Sequence, residues 1–230
     1  MNVLVAGAAG GIGSACVEQL RDSGHRVVGI DRDEVDITRP GGAEQALARA
    51  EQELGSVTGV VHAVGMSGRR FGDGPPSSCS DDGWDEVLRV NLESAFRLLR
   101  AAFPAFRRAG EGSFVGVGSV LSTHADADFL TVAYAVSKSG LRALVRSAAL
   151  EGAAEGIRVN LVEPGLVDTP MARRAIGDER ISARLRDLQP LGGAAVSAAA
   201  VADAVCWLLS PASASTTGAY LPVDGGWTVR

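Results

Sequence analysis

Short apolar runs of strand length alternate along the chain with stretches of helical character. The apolar runs lie near residues 2–6, 26–31, 34–37, 57–63, 113–118, 157–162 and 219–222. Regular alternation of strand and helix predicts an α/β fold, a doubly wound parallel sheet with helices on both faces. The gap from Asp31 to Asp36 is too short for a helix, so we expect no crossover helix between the second and third runs.

One long polar segment interrupts this alternation. Residues 66–83 are rich in Gly, Pro and Ser, which predicts a loop. Ser80, followed by two aspartates, is predicted to cap the helix that contains Trp84 and Val87. Asn91 lies among apolar residues of that helix, so we expect its side chain to point inward. A final helix is predicted near residues 197–209.

The composition is that of one compact domain. The chain has 230 residues, 46% of them hydrophobic, and we expect a single domain over residues 1–230. The net charge is −5 and the arginines are scattered, which argues against a nucleic-acid partner. Cys16, Cys79 and Cys206 lie far apart, as expected in a reducing cytosol. The first strand begins at once and no apolar run reaches about 18 residues, so we expect a cytoplasmic protein without a membrane partner.

A glycine-rich turn follows the first apolar run. It reads Gly7-Ala-Ala-Gly10-Gly11-Ile12-Gly13 and leads into a helix-like stretch. Gly7 permits a tight turn, while Gly11 and Gly13 let the backbone approach a pyrophosphate and let the helix pack on the strand. Strand, glycine turn and helix together predict a dinucleotide site, with the phosphates at the helix N-terminus.

Asp31 ends the second run, where a carboxylate can accept both hydroxyls of an adenosine ribose and repel a 2′-phosphate. Arg32 follows it directly and favours such a phosphate. The alternative is an ordinary loop aspartate. We expect NAD(H) as the cofactor, with NADP(H) as the second possibility.

Lys138 is the only lysine among the 22 Lys and Arg residues, and it stands four positions after Tyr134. The intervening stretch is predicted to be helical, which places both side chains on one face about a turn apart. A lysine ammonium is a compact charge that can stabilise a phenolate, whereas arginine is a wide planar fork. The two residues are either a surface pair or an acid/base tyrosine with its activating lysine.

Other motifs accompany this pair in a fixed order over residues 1–226. They are Asp36-Ile37, His62-Ala-Val-Gly65, Asn91, Ser119, Pro164-Gly165 with Thr169, Thr217-Gly218 and Val223-Asp224-Gly225-Gly226. Together with the glycine turn and the Tyr134–Lys138 pair, they resemble the short-chain dehydrogenase/reductase (SDR) family, in its shorter single-domain branch with a Rossmann fold.

The resemblance implies an NAD(P)(H)-dependent oxidoreductase that interconverts a secondary alcohol and a ketone. Its catalytic residues would be Tyr134 as acid/base, Lys138 lowering the pKa of Tyr134 and holding the nicotinamide ribose, Ser119 binding the reacting oxygen, and Asn91 holding a water. The residues that would bind the cofactor are Gly7, Ala9, Gly10, Gly11, Ile12, Gly13, Asp31, Asp36, Ile37, Ala63, Gly65, Tyr134, Lys138, Pro164, Gly165, Val167 and Thr169. Thr169 would orient the nicotinamide carboxamide. No metal is expected.

Several positions depart from the family pattern. His62 and Ala63 replace two asparagines, so side-chain bonding across the sheet must be made otherwise. The separation of Ser119 from Tyr134 is slightly longer than usual, which makes Ser122 a rival for the serine role. The cluster formed by His124, Asp126 and Asp128 is either a metal site or a polar wall of the substrate pocket, and we expect the wall.

The resemblance also implies a substrate-covering lid over residues 170–192. Five arginines fall in it, which suggests either an anionic or carrier-bound substrate or a solvated helix face with interleaved acids. We expect the solvated face. The arginines are Arg173, Arg174, Arg180, Arg184 and Arg186.

The helix predicted from residue 133 to 151 carries many small residues, and the resemblance implies a homo-oligomer, a dimer or tetramer. A small-molecule alcohol or ketone would be the substrate. The alternative function is a redox sensor or scaffold that binds the dinucleotide without turnover.

Overall fold

The sheet has six strands in the part of the chain that the computed structural model describes, residues 1–229; Arg230, the last residue of the predicted domain, lies outside it. The strands run in parallel, in the order β2-β1-β3-β4-β5-β6. They are β1 (Asn2–Ala6), β2 (Arg26–Ile30), β3 (Gly59–His62), β4 (Gly112–Val117), β5 (Ile157–Pro164) and β6 (Tyr220–Val223).

Helices cover both faces of this sheet. They are α1 (Gly11–Asp22), α2 (Gly42–Leu54), α3 (Asp81–Leu88), α4 (Ser94–Ala109), α5 (Val132–Gly152), α6 (Arg173–Ile176), α7 (Glu179–Leu188) and α8 (Ala198–Leu209). Alternate residues of β1 serve the two faces: Leu4 packs in a core with α2, α4 and α5, while Val5 packs in a second core with α1 and α8. The predicted doubly wound α/β fold is therefore confirmed.

The strand predicted at residues 34–37 is wrong. The backbone turns at this point, because the N–H groups of Glu34 and Val35 both donate to the Asp31 carbonyl and Asp36 accepts hydrogen bonds from Thr38. Val35 and Ile37 are nevertheless buried in the core. Apolar and polar residues alternate here because the turn buries every second side chain, not because a strand pairs. Since no strand lies beyond it, β2 is an edge of the described sheet. The expected absence of a helix between Asp31 and Asp36 is confirmed.

The order of the strands places a crevice at one end of the sheet. The chain moves from β1 to one side for β2 and to the other side for β3, so the loops after β1 and β3 diverge at the carboxyl edge. In open α/β sheets ligands bind in this crevice. The glycine turn after β1 and the segment after His62 both lie there.

A π-helical segment, Arg89–Glu93, joins α3 to α4. Ser80 caps α3 as predicted, since its hydroxyl accepts a hydrogen bond from the Gly83 N–H at 3.0 Å. The wider turn of a π-helix rotates one residue relative to the regular α-helix, and such turns are frequent at functional sites. Here Asn91 lies in the π-turn and is fully buried, as the sequence predicted.

The first turn of α5 is capped from a distant part of the chain. Thr131 stands at the N-cap position, but its side chain makes no capping bond. Instead the two carboxylate oxygens of Asp73 accept the N–H groups of Ala133 and Tyr134, each at 3.0 Å. A buried anion at the positive end of a helix satisfies two orphan donors at once. The position of Tyr134 thus depends on a loop residue 61 positions earlier in the sequence.

The segment predicted as a lid, residues 170–192, contains a 3₁₀ turn (Pro170–Ala172) followed by α6 and α7. Asp178 caps α7, and Ile181, Leu185 and Leu188 are its buried face. No helix in residues 1–229 is both long enough and apolar enough to cross a bilayer.

Replacing Asp73 by alanine tests the cap. We expect Asp73→Ala to lower the free energy of unfolding by about 1–2 kcal/mol, because loss of a helix cap of this kind costs that much. Urea unfolding of the variant and the parent protein measures the difference. Asp33→Ala removes an exposed carboxylate of the turn after β2, and it should stay within about 0.5 kcal/mol of the parent. Equal stability of the two variants would contradict the capping role.

Candidate active site

The crevice at the carboxyl edge opens into a cleft that is connected to solvent. Its walls come from the start of α1, the segments after β3, β4 and β5, the start of α5, and α6. Of the residues predicted as catalytic or cofactor-binding, those that line the cleft are Ile12, Ala63, Gly65, Ser119, Tyr134, Lys138, Pro164, Gly165, Val167 and Thr169. The structure thus brings together residues that are spread over most of the chain.

Tyr134 faces the cleft from the first turn of α5. Burial raises the pKa of its phenol above the usual value, and a hydrogen bond with Ser119 opposes that rise. Burial is the larger of these two effects, and the lowering of this pKa by Lys138 stays a prediction. Protonated Tyr134 is the form that the site favours, and a protonated phenol is a proton donor.

Lys138 lies one turn further along α5 and is buried. Its Nζ donates to the Val117 carbonyl at 2.8 Å and lies 5.6 Å from the centre of the Tyr134 ring. Burial lowers the pKa of Lys138 to about 8. The ammonium is therefore held by the end of β4, beside the phenol but directed at a backbone carbonyl.

Asn91 does not line the cleft, but it holds Met66, a residue of the cleft wall, in place through hydrogen bonds. Its Oδ1 accepts the Met66 N–H at 2.8 Å, and its Nδ2 donates to the Met66 carbonyl at 3.0 Å and to Ser137 at 3.1 Å. The amide thus bonds the N–H and the carbonyl of one residue, as the backbone of a neighbouring β-strand would. Asn91 therefore anchors the segment after β3 to α5, and its predicted role in holding a water stays a prediction.

The two candidate serines have different environments. Ser119 follows β4, is buried and bonds with Tyr134, and its hydroxyl accepts the Leu121 N–H at 3.2 Å. Ser122 donates to Glu163 at 2.8 Å and lies outside the cleft lining. Glu163 in turn pairs with Arg142 at 3.0 Å. The geometry favours Ser119 for contact with a reacting oxygen and gives Ser122 a place in a separate polar network.

The glycine turn packs against two neighbouring segments with no space for side chains. Gly7 has φ of 85°, and a Cβ there would lie 2.8 Å from the Ala63 carbonyl carbon. A Cβ on Gly11 would lie 2.6 Å from Thr169, and one on Gly13 would lie 2.0 Å from the Gly7 oxygen. Gly10, at the N-cap of α1, offers no capping side chain. The first turn of α1 therefore has no side-chain cap, and N–H groups at the start of a helix are what a pyrophosphate needs.

Asp31 and Ala9 connect β2 to the glycine turn. One carboxylate oxygen of Asp31 accepts the Ala9 N–H at 2.9 Å, and the other accepts the Arg32 N–H at 2.8 Å. Each oxygen has a second lone pair, so the carboxylate retains acceptor capacity for hydroxyl groups. Asp36 folds back onto Thr38 and Arg39. Ile37 beside it is buried, and neither residue of this pair lines the cleft.

His62, which stands where the family has an asparagine, makes a different bond. Its Nε2 lies 2.8 Å from the Ser94 hydroxyl, which also donates to the Val90 carbonyl at 2.5 Å. The hydroxyl proton is therefore used, so Nε2 must be the donor to Ser94. Burial, and then the charge of Lys138, lower the pKa of His62 to about 3. His62 is a neutral link between β3 and the π-helical turn.

The wall predicted from His124, Asp126 and Asp128 is wrong, since none of the three lines the cleft. No cluster that could hold a metal ion occurs in residues 1–229. Asp128 forms ion pairs with Arg180 and Arg184, and Asp126 pairs with Arg184 at 2.9 Å. These acids tie α7 to the segment before α5. Arg180 stays exposed while it is paired, and Arg184 is the one of the five predicted solvated arginines that is only partly exposed.

Several cleft residues were not identified from the sequence. Phe129 and Trp227 contact each other edge to face with ring centres 5.4 Å apart, and both line the cleft. Arg69 and Met171 line it as well, together with Arg174, one of the five arginines noted in the predicted lid. Of the residues that were missed, Trp227 gave a signal that could have been used, because it directly follows the Val223–Gly226 motif.

Comparison with known proteins agrees with this geometry. Residues 34–228 match the family model described as enoyl-(acyl carrier protein) reductase. The chain is 31% identical to the 3-oxoacyl-(acyl-carrier-protein) reductase FabG of Vibrio cholerae, over 97% of this chain and 95% of that protein. It is 34% identical to cis-4-hydroxycyclohexanecarboxylate dehydrogenase of Sinomonas cyclohexanicum, over 91% of this chain and 80% of that protein.

A solved structure has the same fold at similar identity. The aldohexose dehydrogenase of Thermoplasma acidophilum superposes with a TM-score of 0.88 and 29% identity, covering 99% of this chain and 94% of that one. Sequence, sheet topology and the order of the motifs therefore agree: the chain belongs to the short-chain dehydrogenase/reductase family and is an oxidoreductase.

Proposed function

We propose that the protein interconverts a secondary alcohol and a ketone with a nicotinamide dinucleotide, using Tyr134 as the acid/base. The observation that supports this most is the meeting of Ser119, Tyr134 and Lys138 in one largely apolar cleft beside the glycine turn. The activities named for the relatives, a 3-oxoacyl reductase and a hydroxycyclohexanecarboxylate dehydrogenase, are of this reaction type. When bound, the nicotinamide supplies the hydride for reduction or accepts it in oxidation.

The residues of the chain handle the proton. In reduction Tyr134 donates its phenolic proton to the carbonyl oxygen, and in oxidation the phenolate takes the proton of the alcohol. Ser119, bonded to Tyr134, gives the reacting oxygen a second hydrogen bond. Lys138 places a positive charge beside the phenol, so it stabilises the phenolate that forms after donation. Thr169 and Lys138 line the cleft where the carboxamide and the ribose would be held.

We infer NAD(H) as the preferred cofactor. The Asp31 carboxylate is held next to the glycine turn by the Ala9 N–H, where it can accept ribose hydroxyls. A 2′-phosphate at that place would meet a negative charge at close range. Arg32 is exposed beside it, and it is the residue that would favour NADP(H).

We also propose that the chain acts as one domain in the cytoplasm and that residues 170–192 cover the bound substrate. We further propose that the protein is a dimer or tetramer. Exposed apolar side chains on α4, α5 and α8 offer surfaces for such assembly, among them Phe96, Val136, Leu150 and Trp207. A dinucleotide-binding sensor without turnover is the second candidate, and measured turnover of any ketone or alcohol would exclude it.

Removal of the Tyr134 hydroxyl tests the mechanism. We expect Tyr134→Phe to lower kcat/KM by about 10²–10⁴-fold, the usual contribution of a general acid/base. Assays with a panel of ketones and alcohols measure this loss, and calorimetry should find dinucleotide binding nearly unchanged. Tyr220→Phe is the matched control, because that hydroxyl bonds to the Arg142 carbonyl outside the cleft. Activity above a tenth of the parent in Tyr134→Phe would show that another group is the acid.

Lys138→Arg tests whether a compact ammonium is required. We expect this variant to fail although it keeps the charge, because the buried Nζ donates to the Val117 carbonyl at 2.8 Å and a wide planar fork cannot reproduce that compact contact. In the parent protein, kcat/KM for ketone reduction should fall as the pH rises through about 8, where free Lys138 loses its proton. Parent-like kinetics in Lys138→Arg, or no decline above pH about 8, would contradict this role.

Asp31 determines cofactor choice in this proposal. We expect the parent to prefer NAD(H) by at least about tenfold in kcat/KM, roughly 1.4 kcal/mol, because a 2′-phosphate would be repelled. Asp31→Ala should remove most of the preference and leave Arg32 free to favour NADP(H). Kinetics with both cofactors, for the parent and for an Asp33→Ala control, measure the effect. A parent enzyme that prefers NADP(H) would mean that Arg32 dominates.

A further inference from the structure

Two arginines reach the cleft from separate parts of the chain. Arg69 begins a 3₁₀ turn, Arg69–Phe71, in the loop after β3, where Gly68 adopts φ of 73°. Arg174 lies on α6, in the segment after β5. Both line the same cleft as Tyr134.

No acidic side chain of residues 1–229 lines this cleft, so Arg69, Arg174 and Lys138 are its charged groups. Neither Arg69 nor Arg174 forms an ion pair with a described carboxylate; the polar contact of Arg69 is a bond to the Asp128 carbonyl at 3.2 Å. Arg180 and Arg184 of the 170–192 segment differ in this respect, since both pair with Asp128.

The acid that attracts Arg69 is already engaged in other hydrogen bonds. Asp73 attracts Arg69, but its two oxygens accept the Ala133 and Tyr134 N–H groups and one accepts the Cys79 thiol. Burial, and then the charge of Arg174, lower the pKa of Arg69. Two guanidinium groups that line one cleft repel each other, and a bound anion would relieve that repulsion.

We propose that Arg69 and Arg174 bind an anionic group of the substrate, so that the ketone or alcohol carries a carboxylate or phosphate on an apolar body. Guanidinium groups bind both anions through paired hydrogen bonds. The rest of the wall suits the apolar body, since it includes Leu121, Phe129, Met171 and Trp227. This inference rests on the proposed function, because Ser119 and Tyr134 must hold the carbonyl at the other end of the same molecule.

Matched substrates test the charge requirement. The carboxylate probes are 4-oxopentanoate and 6-oxoheptanoate, each compared with its methyl ester; the phosphate probe is hydroxyacetone phosphate, compared with hydroxyacetone. We expect one of these pairs to show at least a tenfold preference for the anion in kcat/KM, and the pair that shows it identifies the anionic group. Arg69→Gln and Arg174→Gln should each lower that preference at least fivefold, mainly through KM.

Neighbouring arginines provide the controls. Arg70, which stacks on Phe71, and Arg173 lie next to the two residues in sequence and do not line the cleft. Arg70→Gln and Arg173→Gln should keep the parent's preference, which separates a local contact from a general change in surface charge. Equal turnover of anion and neutral partner by the parent, an unchanged preference in Arg69→Gln and Arg174→Gln, or weakened dinucleotide binding as their main effect would overturn the proposal.

A binding measurement separates this inference from the proposed function. Calorimetry with the oxidised dinucleotide present allows a ketone to bind without reacting. If neither these probes nor the wider panel of ketones and alcohols is turned over, the proposed function fails, and titration of the same anions then decides the inference. Binding that weakens at least tenfold in the Arg69→Gln, Arg174→Gln double variant supports it, and absent or unchanged binding overturns it.

Discussion

The carboxylate of Asp73 is the contact on which the arrangement of the site depends. It joins the loop after β3 to the first turn of α5 and so fixes the N–H groups of Ala133 and Tyr134. Because a helix is rigid, that one attachment also sets the direction of Lys138, a turn further on. Asn91 secures the same loop a few residues earlier through Met66. The acid/base pair is thus held by polar contacts from outside its own helix.

Patterns of local origin were predictable from the sequence, and contacts between distant segments were not. The six strands and the glycine turn are marked by short apolar runs and by glycines, which act within a few residues. The false strand at 34–37 shows the limit of this signal, because Val35 and Ile37 are buried as strand residues would be while the backbone turns. Alternating burial occurs in this turn as it does in a strand, so the sequence pattern alone cannot tell the two structures apart.

The residues of the candidate site also fall into a group that local motifs predict and a group that they do not. Tyr134, Lys138 and Ser119 belong to recognisable motifs, whereas Asp73 and Arg69 lie in a loop with no periodicity and gain their roles only when the chain folds. The raised pKa of Tyr134 has the same origin, since burial is a property of the assembled cleft and not of the YxxxK spacing. His62 shows the same dependence on the folded structure, because burial and the charge of Lys138 lower its pKa and keep it neutral.

The single lysine gives the folded protein an unusual chemical selectivity. Amine-directed reagents such as acylating esters find one side-chain target, and that target lies inside the cleft with a pKa of about 8. The remaining primary amine, at Met1, is bonded to His25 at 2.9 Å on the opposite end of β1. The rate at which Lys138 is acylated therefore reports how far the cleft is open to solvent, without any residue having to be substituted.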